Sequence, residues 1–301
     1  MPLYIRHLPS HLSTLVDEKS IPPNTCLFNP SVAHPILYIR QNVYAATKQE
    51  NSVLLVDTEK KKQYNIACPF NMLRPNCNMF QGIEDLRICW FNNMLWFTAT
   101  STHASQNNMS EMLVGHFSKD LTRVERMSYV DLGVKPAKNV CPYVVDNKLH
   151  LLDIYTMAIY EVTDSCSDSD NSKYVATKVK SLVYGAGLPG PSMQGSKFRG
   201  STSPVHLHGN TWGCVVHDII FNDQTVLVTQ LSYIHHWIEF DVVSGVISFI
   251  STPFWVAKWG IEFISGIQLA DDRKGVSLYI GIEDKSCIQC HTTLANLRYG
   301  K

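Results

Sequence analysis

The sequence predicts an all-β chain. Three observations carry this reading. Stretches with helical apolar periodicity over three turns are hard to find; short apolar or alternating runs occur along the whole length; and Asn, Asp and Gly turns separate them. Taken in order, Ile36–Ile39 and Ser52–Val56 come first, and Met94–Phe97 follows the turn Asn92-Asn93. Lys148–Leu152 follows Asp146-Asn147, and Val215-Val216 follows His208-Gly209-Asn210. Val226–Val228 follows Asn222-Asp223, Gly245–Phe249 begins at the Ser244-Gly245 turn, and Val276–Ile280 closes the series. Two strands around a short Asn/Asp/Gly turn make a hairpin. Many hairpins with few helices make a barrel, a sandwich or a propeller.

A recurring phrase favours the propeller: an apolar strand, a polar turn, then an apolar strand with an aromatic. Copies fall near residues 88–98, 141–155, 204–217 and 275–282, with an earlier one near 30–45. The spacing of roughly 50–60 residues suits four-stranded blades. Five blades would use the whole chain as one domain, residues 1–301. The copies are too dissimilar for periodicity alone to establish a repeat, so a pair of sandwiches stays open at this level.

Composition narrows the function classes. The 301 residues carry 26 Lys+Arg against 26 Asp+Glu, a net charge of zero. A general nucleic-acid binder or a polybasic membrane anchor would carry a basic excess. Hydrophobic residues are 45% and charged residues 17%, which excludes disorder over most of the length. No apolar run approaches the ~18 residues of a membrane span, and the first residues do not read as a signal peptide, so a cytoplasmic protein is expected. The nine cysteines are odd in number and scattered, several within apolar runs, as in a reducing compartment. Cys287 and Cys290 form a CxxC pair beside His291, but zinc needs about four ligands, and the Cys68–Cys77 spacing does not supply the others. No metal and no organic cofactor is expected. Residues 101–111, 163–172 and 185–203 read as loops; the first contains a sequon at Asn108 that would be idle without secretion.

Five segments concentrate residues able to do chemistry. In Gly82-Ile83-Glu84-Asp85-Leu86-Arg87 two acids and an arginine precede an apolar strand. Strict strand alternation would put Asp85 and Arg87 on one side and Glu84 on the other. Lys138-Asn139 precedes the strand Val140–Tyr143 and could bind an anion or sugar hydroxyls. Arg199–Val205 leads, after a hairpin, to His217-Asp218. Tyr233, His235 and His236 share an aromatic strand, and alternation lets at most one of the two histidines face a common pocket. Ile261–Ile267 and Leu278–Asp284 complete the set. Each segment alone is most simply a structural ion pair, loop or packed strand.

Together, and in this order with Phe28-Asn29-Pro30-Ser31 ahead of them, the segments resemble glycoside hydrolase family 130 and its relatives. That group comprises β-mannoside phosphorylases, some β-mannosidases and β-1,2-mannosyltransferases. The resemblance implies a five-bladed β-propeller with the active site in a central funnel. It implies Asp85 as general acid and Arg87 as its motif partner, although Leu86 stands where the family has proline. Lys138 and Asn139 match a Glu-Lys-Asn phrase whose glutamate is Ala137 here. His217, Asp284 and Arg40 fall on further family positions. The implied phosphate nest is Lys138, Arg199 and His217 or His235, with Arg40, Arg87, Asn139, Asp284 and Tyr233 on the sugar. Inverting phosphorolysis needs one acid and such a nest, without the second carboxylate of ordinary inverting hydrolysis. Transfer from a sugar phosphate or nucleotide sugar would use the same cations, with the acid acting as base. Hydrolysis would need a carboxylate across the funnel, for which Asp284, Glu283 and Asp218 are candidates. Trp90, Trp212, Tyr233 and Trp237 are candidates for stacking on sugar rings. The expected partner is an oligosaccharide or sugar-phosphate substrate. The alternative is a propeller that binds glycan or protein without catalysis, supported by the missing proline and glutamate; an apolar plug in the funnel would mark it.

Overall fold

The structure is a computed structural model and describes residues 5–15, 24–44, 49–67, 80–101, 110–133, 138–165, 173–189, 197–222 and 230–300. The Cys68–Cys77 pair, the sequon at Asn108, Ala137 and parts of the three expected loops lie outside the described residues, as does the run Val226–Val228.

Among the described residues the strands form five sheets, taken up in turn along the chain. The first is the meander Thr25–Ala33, Ile36–Tyr44, Gln49–Asp57 and Lys62–Ile66, with the short strand Phe80–Gln81 beside Gln49–Asp57. The second is Glu84–Phe91, Met94–Ser101, Glu111–Phe117 and Val124–Val130; the third is Cys141–Val145, Lys148–Asp153, Ala158–Ser165 and Lys173–Ser181. The fourth is built on the long hairpin Thr211–Asn222 and Gln230–Asp241. The fifth is Glu262–Leu269, Gly275–Ile282 and Ser286–Thr293. The five sequence recurrences each fall in a different sheet. Hairpin turns use the residues expected of them: Asn92, Asn93, Asp146, Asn147, Gly209 and Gly245 all have positive φ.

Alternation along the strands leaves apolar residues on both faces, and these faces pack sheet against sheet. Tyr38 and Leu55 of the first sheet meet Ile88 and Phe97 of the second. Val114 of the second meets Leu151 of the third. Ile159 of the third meets Val216 and Phe240 of the fourth. Trp237 of the fourth meets Ile264 and Ile280 of the fifth. Leu37 and Ile39 of the first then meet Tyr279 and Cys287 of the fifth, so the stack closes on itself. The arrangement is all-β and propeller-like.

The N-terminal strands help the closure. His11–Thr14 is the outer strand of the fifth sheet, and Arg6–His7 pairs in parallel with Phe254–Trp255 of the fourth. Arg6 also donates to the carbonyls of Asn296 and Leu297 on the C-terminal helix Leu294–Tyr299, which tethers one chain end to the other. That helix is short, and no described helix is long and apolar enough to cross a membrane. Cys287 and Cys290 pack into two different cores, so they face apart.

Candidate active site

Where the five sheets meet lies a cavity of about 280 Å³, near the lower end of the ~300–1,000 Å³ usual for ligand pockets. Every sheet contributes to its wall. Phe28, Asn29, Arg40 and Asn42 come from the first, Glu84 and Asp85 from the second, and Lys138 and Asn139 from the segment entering the third. Arg199, His217 and Tyr233 come from the fourth, and Phe263 and Asp284 from the fifth. Closure of the ring of sheets thus brings remote sequence segments together around one polar pocket.

The backbone at the wall is unusual. Asn29, Asp85, Asn139 and Asp284 all hold left-handed φ, between 48° and 59°. Asn and Asp tolerate that region because their short polar side chains bond locally, and such strain gathers at functional sites. Two glycines let the sheets approach here. A Cβ on Gly200 would lie 2.2 Å from the Asn139 carbonyl oxygen, and one on Gly281 would lie 2.5 Å from Asn29 Oδ1.

The bulge at Asp85 overturns the expected facing of its neighbours. Pairing with the Met94–Ser101 strand slips between Glu84 and Arg87, which changes the parity of the strand. Glu84 and Asp85 therefore both face the pocket, and Arg87 turns behind it. Leu86, in the position of the family's proline, is wholly buried in the core between the first two sheets.

Arg40 organises the two carboxylates. Its Nη1 donates to Asp85 Oδ1 at 2.9 Å, and its Nη2 lies 3.2 Å from Glu84 Oε2. Its Nε donates to Asn51 Oδ1 at 2.9 Å, and the guanidinium sits 4.8 Å from the centre of the Phe28 ring. Asn29 Nδ2 adds a second donor to Asp85 Oδ1 at 2.8 Å. Burial pushes the Asp85 pKa up, but Arg40, Lys138, Arg87 and the Asn29 hydrogen bond outweigh it, so the group is held well below the usual carboxylate range. Asp284 moves the opposite way: burial and the Asp85 charge raise it, against Arg40 and Lys138. The pocket thus pushes the proton affinities of its two carboxyls apart: Asp85 is held ionised, and Asp284 takes up a proton more readily than an ordinary carboxylate.

The cationic side of the pocket holds Lys138 and Arg199, both exposed, next to the buried His217. Burial lowers the His217 pKa well below the ordinary value, and His235, Arg199, Arg87 and Lys138 add to this, so the imidazole is neutral. Its Nδ1 lies 2.8 Å from Ser201 Oγ, and its ring packs against Tyr233 and edge-on to Phe263.

Of the site residues expected from sequence, Asp85, Arg40, Asn139, Asp284, Tyr233, Lys138, Arg199 and His217 line the cavity. Arg87 and His235 do not. Arg87 is fully buried; its Nε donates to the Ser201 carbonyl and its Nη1 to the Asp85 and Leu86 carbonyls. His235 is fully buried too, against the backbone carbonyl and carboxylate of Glu262. The substrate role for Arg87 and the phosphate role for His235 are therefore corrected: both lie in the wall. Of the candidate second carboxylates only Asp284 lines the pocket; Asp218 is buried elsewhere and Glu283 is an exposed partner of Lys258. Trp237 belongs to a core, Trp212 packs on Tyr143 and Trp90 donates to Ala33 and His34 carbonyls, which leaves Tyr233 at the site with Phe28 and Phe263. The sequence reading missed Phe28, Asn29, Asn42, Glu84 and Phe263 as lining residues. Asn29 had a signal, its place in the Phe28–Ser31 phrase; Asn42 had none.

No protein-family model and no curated protein matches the chain. Solved structures do. The chain is similar to a mannose phosphorylase from Leishmania mexicana in complex with phosphate ion, at 14% identity and a TM-score of 0.58 over 98% of this chain and 94% of that one. It is similar to a β-1,2-mannobiose phosphorylase from Listeria innocua in complex with β-1,2-mannobiose, at 12% identity and a TM-score of 0.56 over 94% and 95% of the two chains. A GDP-Man-dependent mannosyltransferase from Leishmania mexicana gives 13% identity and 0.58 over 92% and 91%. At these identities the likeness establishes the fold alone, one this chain shares with these two phosphorylases and the mannosyltransferase.

Proposed function

We propose that the chain is one five-bladed propeller, each sheet a blade, acting on a β-mannoside-like glycosidic bond by inverting single displacement with Asp85 as acid/base. The observation that carries this is the pairing, in one open polar pocket, of an Arg40-held carboxylate with the cations Lys138 and Arg199. A propeller kept only as a binding module has no need of that pairing, and the lining is polar rather than an apolar plug.

The charge arrangement favours chemistry with an anionic leaving group or nucleophile over hydrolysis. In the synthetic direction an acceptor hydroxyl attacks the anomeric carbon of a sugar phosphate or nucleotide sugar. The new C–O bond forms as the bond to the phosphate oxygen breaks, with inversion. The hydroxyl proton passes to Asp85, which is already a carboxylate, and the departing charge is met by Lys138, Arg199 and a His217 N–H. In phosphorolysis the steps reverse, and Asp85 must first be protonated. A phosphate dianion beside Lys138 cancels part of the field that holds Asp85 ionised, so anion binding itself raises the Asp85 pKa. Asp284, Asn139 and Tyr233 hold sugar hydroxyls, and the reaction calls on no metal or organic cofactor.

The test is a melting-temperature screen followed by turnover assays, with inorganic phosphate, mannose 1-phosphate, GDP-mannose and short β-mannosides. A ligand bound only by the native state raises the melting temperature by mass action. Stabilisation by phosphate or mannose 1-phosphate with release of phosphate assigns phosphorylase chemistry, and by GDP-mannose a transferase. No stabilisation and no turnover with any of them overturns the reading.

A further inference from the structure

Resting on that reading, we propose that Ser201 and Arg87 are positioning residues for the anion side of the pocket: the Ser201 hydroxyl holds His217 in the tautomer that presents Nε2–H to the ligand, and Arg87 holds Ser201. A neutral imidazole has one N–H, and the partner of one ring nitrogen decides what the other can do. His217 Nδ1 is 2.8 Å from Ser201 Oγ, which leaves Nε2 as the ring nitrogen available to the pocket that His217 lines.

Ser201 settles which nitrogen carries the hydrogen. The residue is fully buried, and among the described residues its hydroxyl has no partner besides His217 Nδ1. If Nδ1–H donated to Ser201, the hydroxyl hydrogen would stay buried and unpaired. If the hydroxyl donates to Nδ1, only acceptor capacity is left over, which is far less costly. The second arrangement puts the ring hydrogen on Nε2.

The support behind Ser201 forms a closed ring of contacts. Arg87 Nε donates to the Ser201 carbonyl, and its Nη1 donates back to the Asp85 carbonyl at 3.0 Å. The guanidinium lies 5.1 Å from the centre of the Phe263 ring, and Phe263 meets the His217 ring edge-on at 5.1 Å and 90°. Arg87, Ser201, His217 and Phe263 therefore brace one another, and the same arginine ties this brace to the backbone of Asp85. The consequence is a division of labour. Lys138 and Arg199 supply charge, and His217 supplies a directed, uncharged donor.

The experiment is a long-range proton–nitrogen NMR correlation on protein labelled with ¹⁵N-histidine, with His217 assigned by the His217→Gln variant. In the wild type between pH 6 and 8, Nδ1 is expected to be the unprotonated nitrogen and Nε2 the protonated one. Ser201→Ala deletes the hydroxyl and keeps the carbonyl that Arg87 needs. It is expected to mix the tautomers and weaken inorganic phosphate in calorimetry roughly two- to tenfold. A wild-type ring protonated at Nδ1, or a tautomer unchanged in Ser201→Ala, overturns the proposal. A tautomer that answers to Ser201 in a protein that binds no phosphate overturns instead the anion reading of the pocket.

Discussion

Replacing Asp85 by Asn separates the chemistry from the architecture. The amide has nearly the volume of the carboxylate and keeps one oxygen to accept from Arg40 Nη1 and Asn29 Nδ2. It cannot take or give a proton. A positioned acid/base contributes about 10²–10⁴ in rate, which is roughly 3–5 kcal/mol on the barrier. The effect on folding is smaller. Stripping a partner from a buried ion pair costs about 3–5 kcal/mol. Here Arg40 keeps Glu84 at 3.2 Å and Asn51 at 2.9 Å, so about 1–2 kcal/mol is the expected loss. Anion binding moves the other way, because one negative charge leaves a pocket that also holds Lys138 and Arg199. Asp85→Asn is thus expected to lose at least a hundredfold in turnover, to melt within a few degrees of wild type, and to bind inorganic phosphate at least as tightly. Phosphate release or consumption with a sugar-phosphate donor, thermal melts and phosphate calorimetry read the three quantities. Turnover above about a tenth of wild type would remove Asp85 from the chemistry, and lost phosphate binding in a folded variant would sink the charge argument.

Lys138→Ala and Arg199→Ala remove exposed cations from the pocket; each is expected to weaken phosphate by about five- to thirtyfold, with little change in melting temperature. Unchanged calorimetric affinity would place that residue outside the anion site. Gly281→Ala drives a methyl into Asn29, 2.5 Å from its Oδ1 and 2.8 Å from its backbone nitrogen. It is expected to cost about 1–3 kcal/mol of stability and to cut turnover further by displacing a donor to Asp85; a fully active variant would show that the Asn29 contact is dispensable. His236 is buried, and burial chiefly pushes its pKa down to about 4. Because the folded pKa lies below the unfolded one, the unfolded chain takes up the proton first as pH falls. The stability is complete above about pH 6.5 and is lost between there and about 4, roughly 3 kcal/mol in all. Urea unfolding at pH 7 and pH 5 should show a smaller acid loss for His236→Phe than for wild type, and equal losses would refute the assignment.

Strand alternation and Asn/Asp/Gly turns are local properties, so hairpins such as Met94–Ser101 after Asn92-Asn93 were legible along the chain, as was their recurrence at blade-like intervals. Much of the pocket lining was legible too, because Asp85, Lys138, Arg199, His217 and Asp284 sit in phrases that resemble a family's motifs in the same order. What failed at Asp85 was the inference that counted parity across the bulge. A strand assigns faces by a period of two only until a bulge inserts a residue. The left-handed turn at Asp85 does so, bringing Glu84 to the pocket and sending Arg87 behind it. His235 lies on the same regular strand as Tyr233, and there it is packing against Glu262, with no bulge, that makes it wall rather than ligand. Residue types and their order dictated the strands and the chemistry on offer. Which of those groups share one cavity depended on closure of the ring of sheets, through contacts between residues hundreds of positions apart that no local pattern encodes.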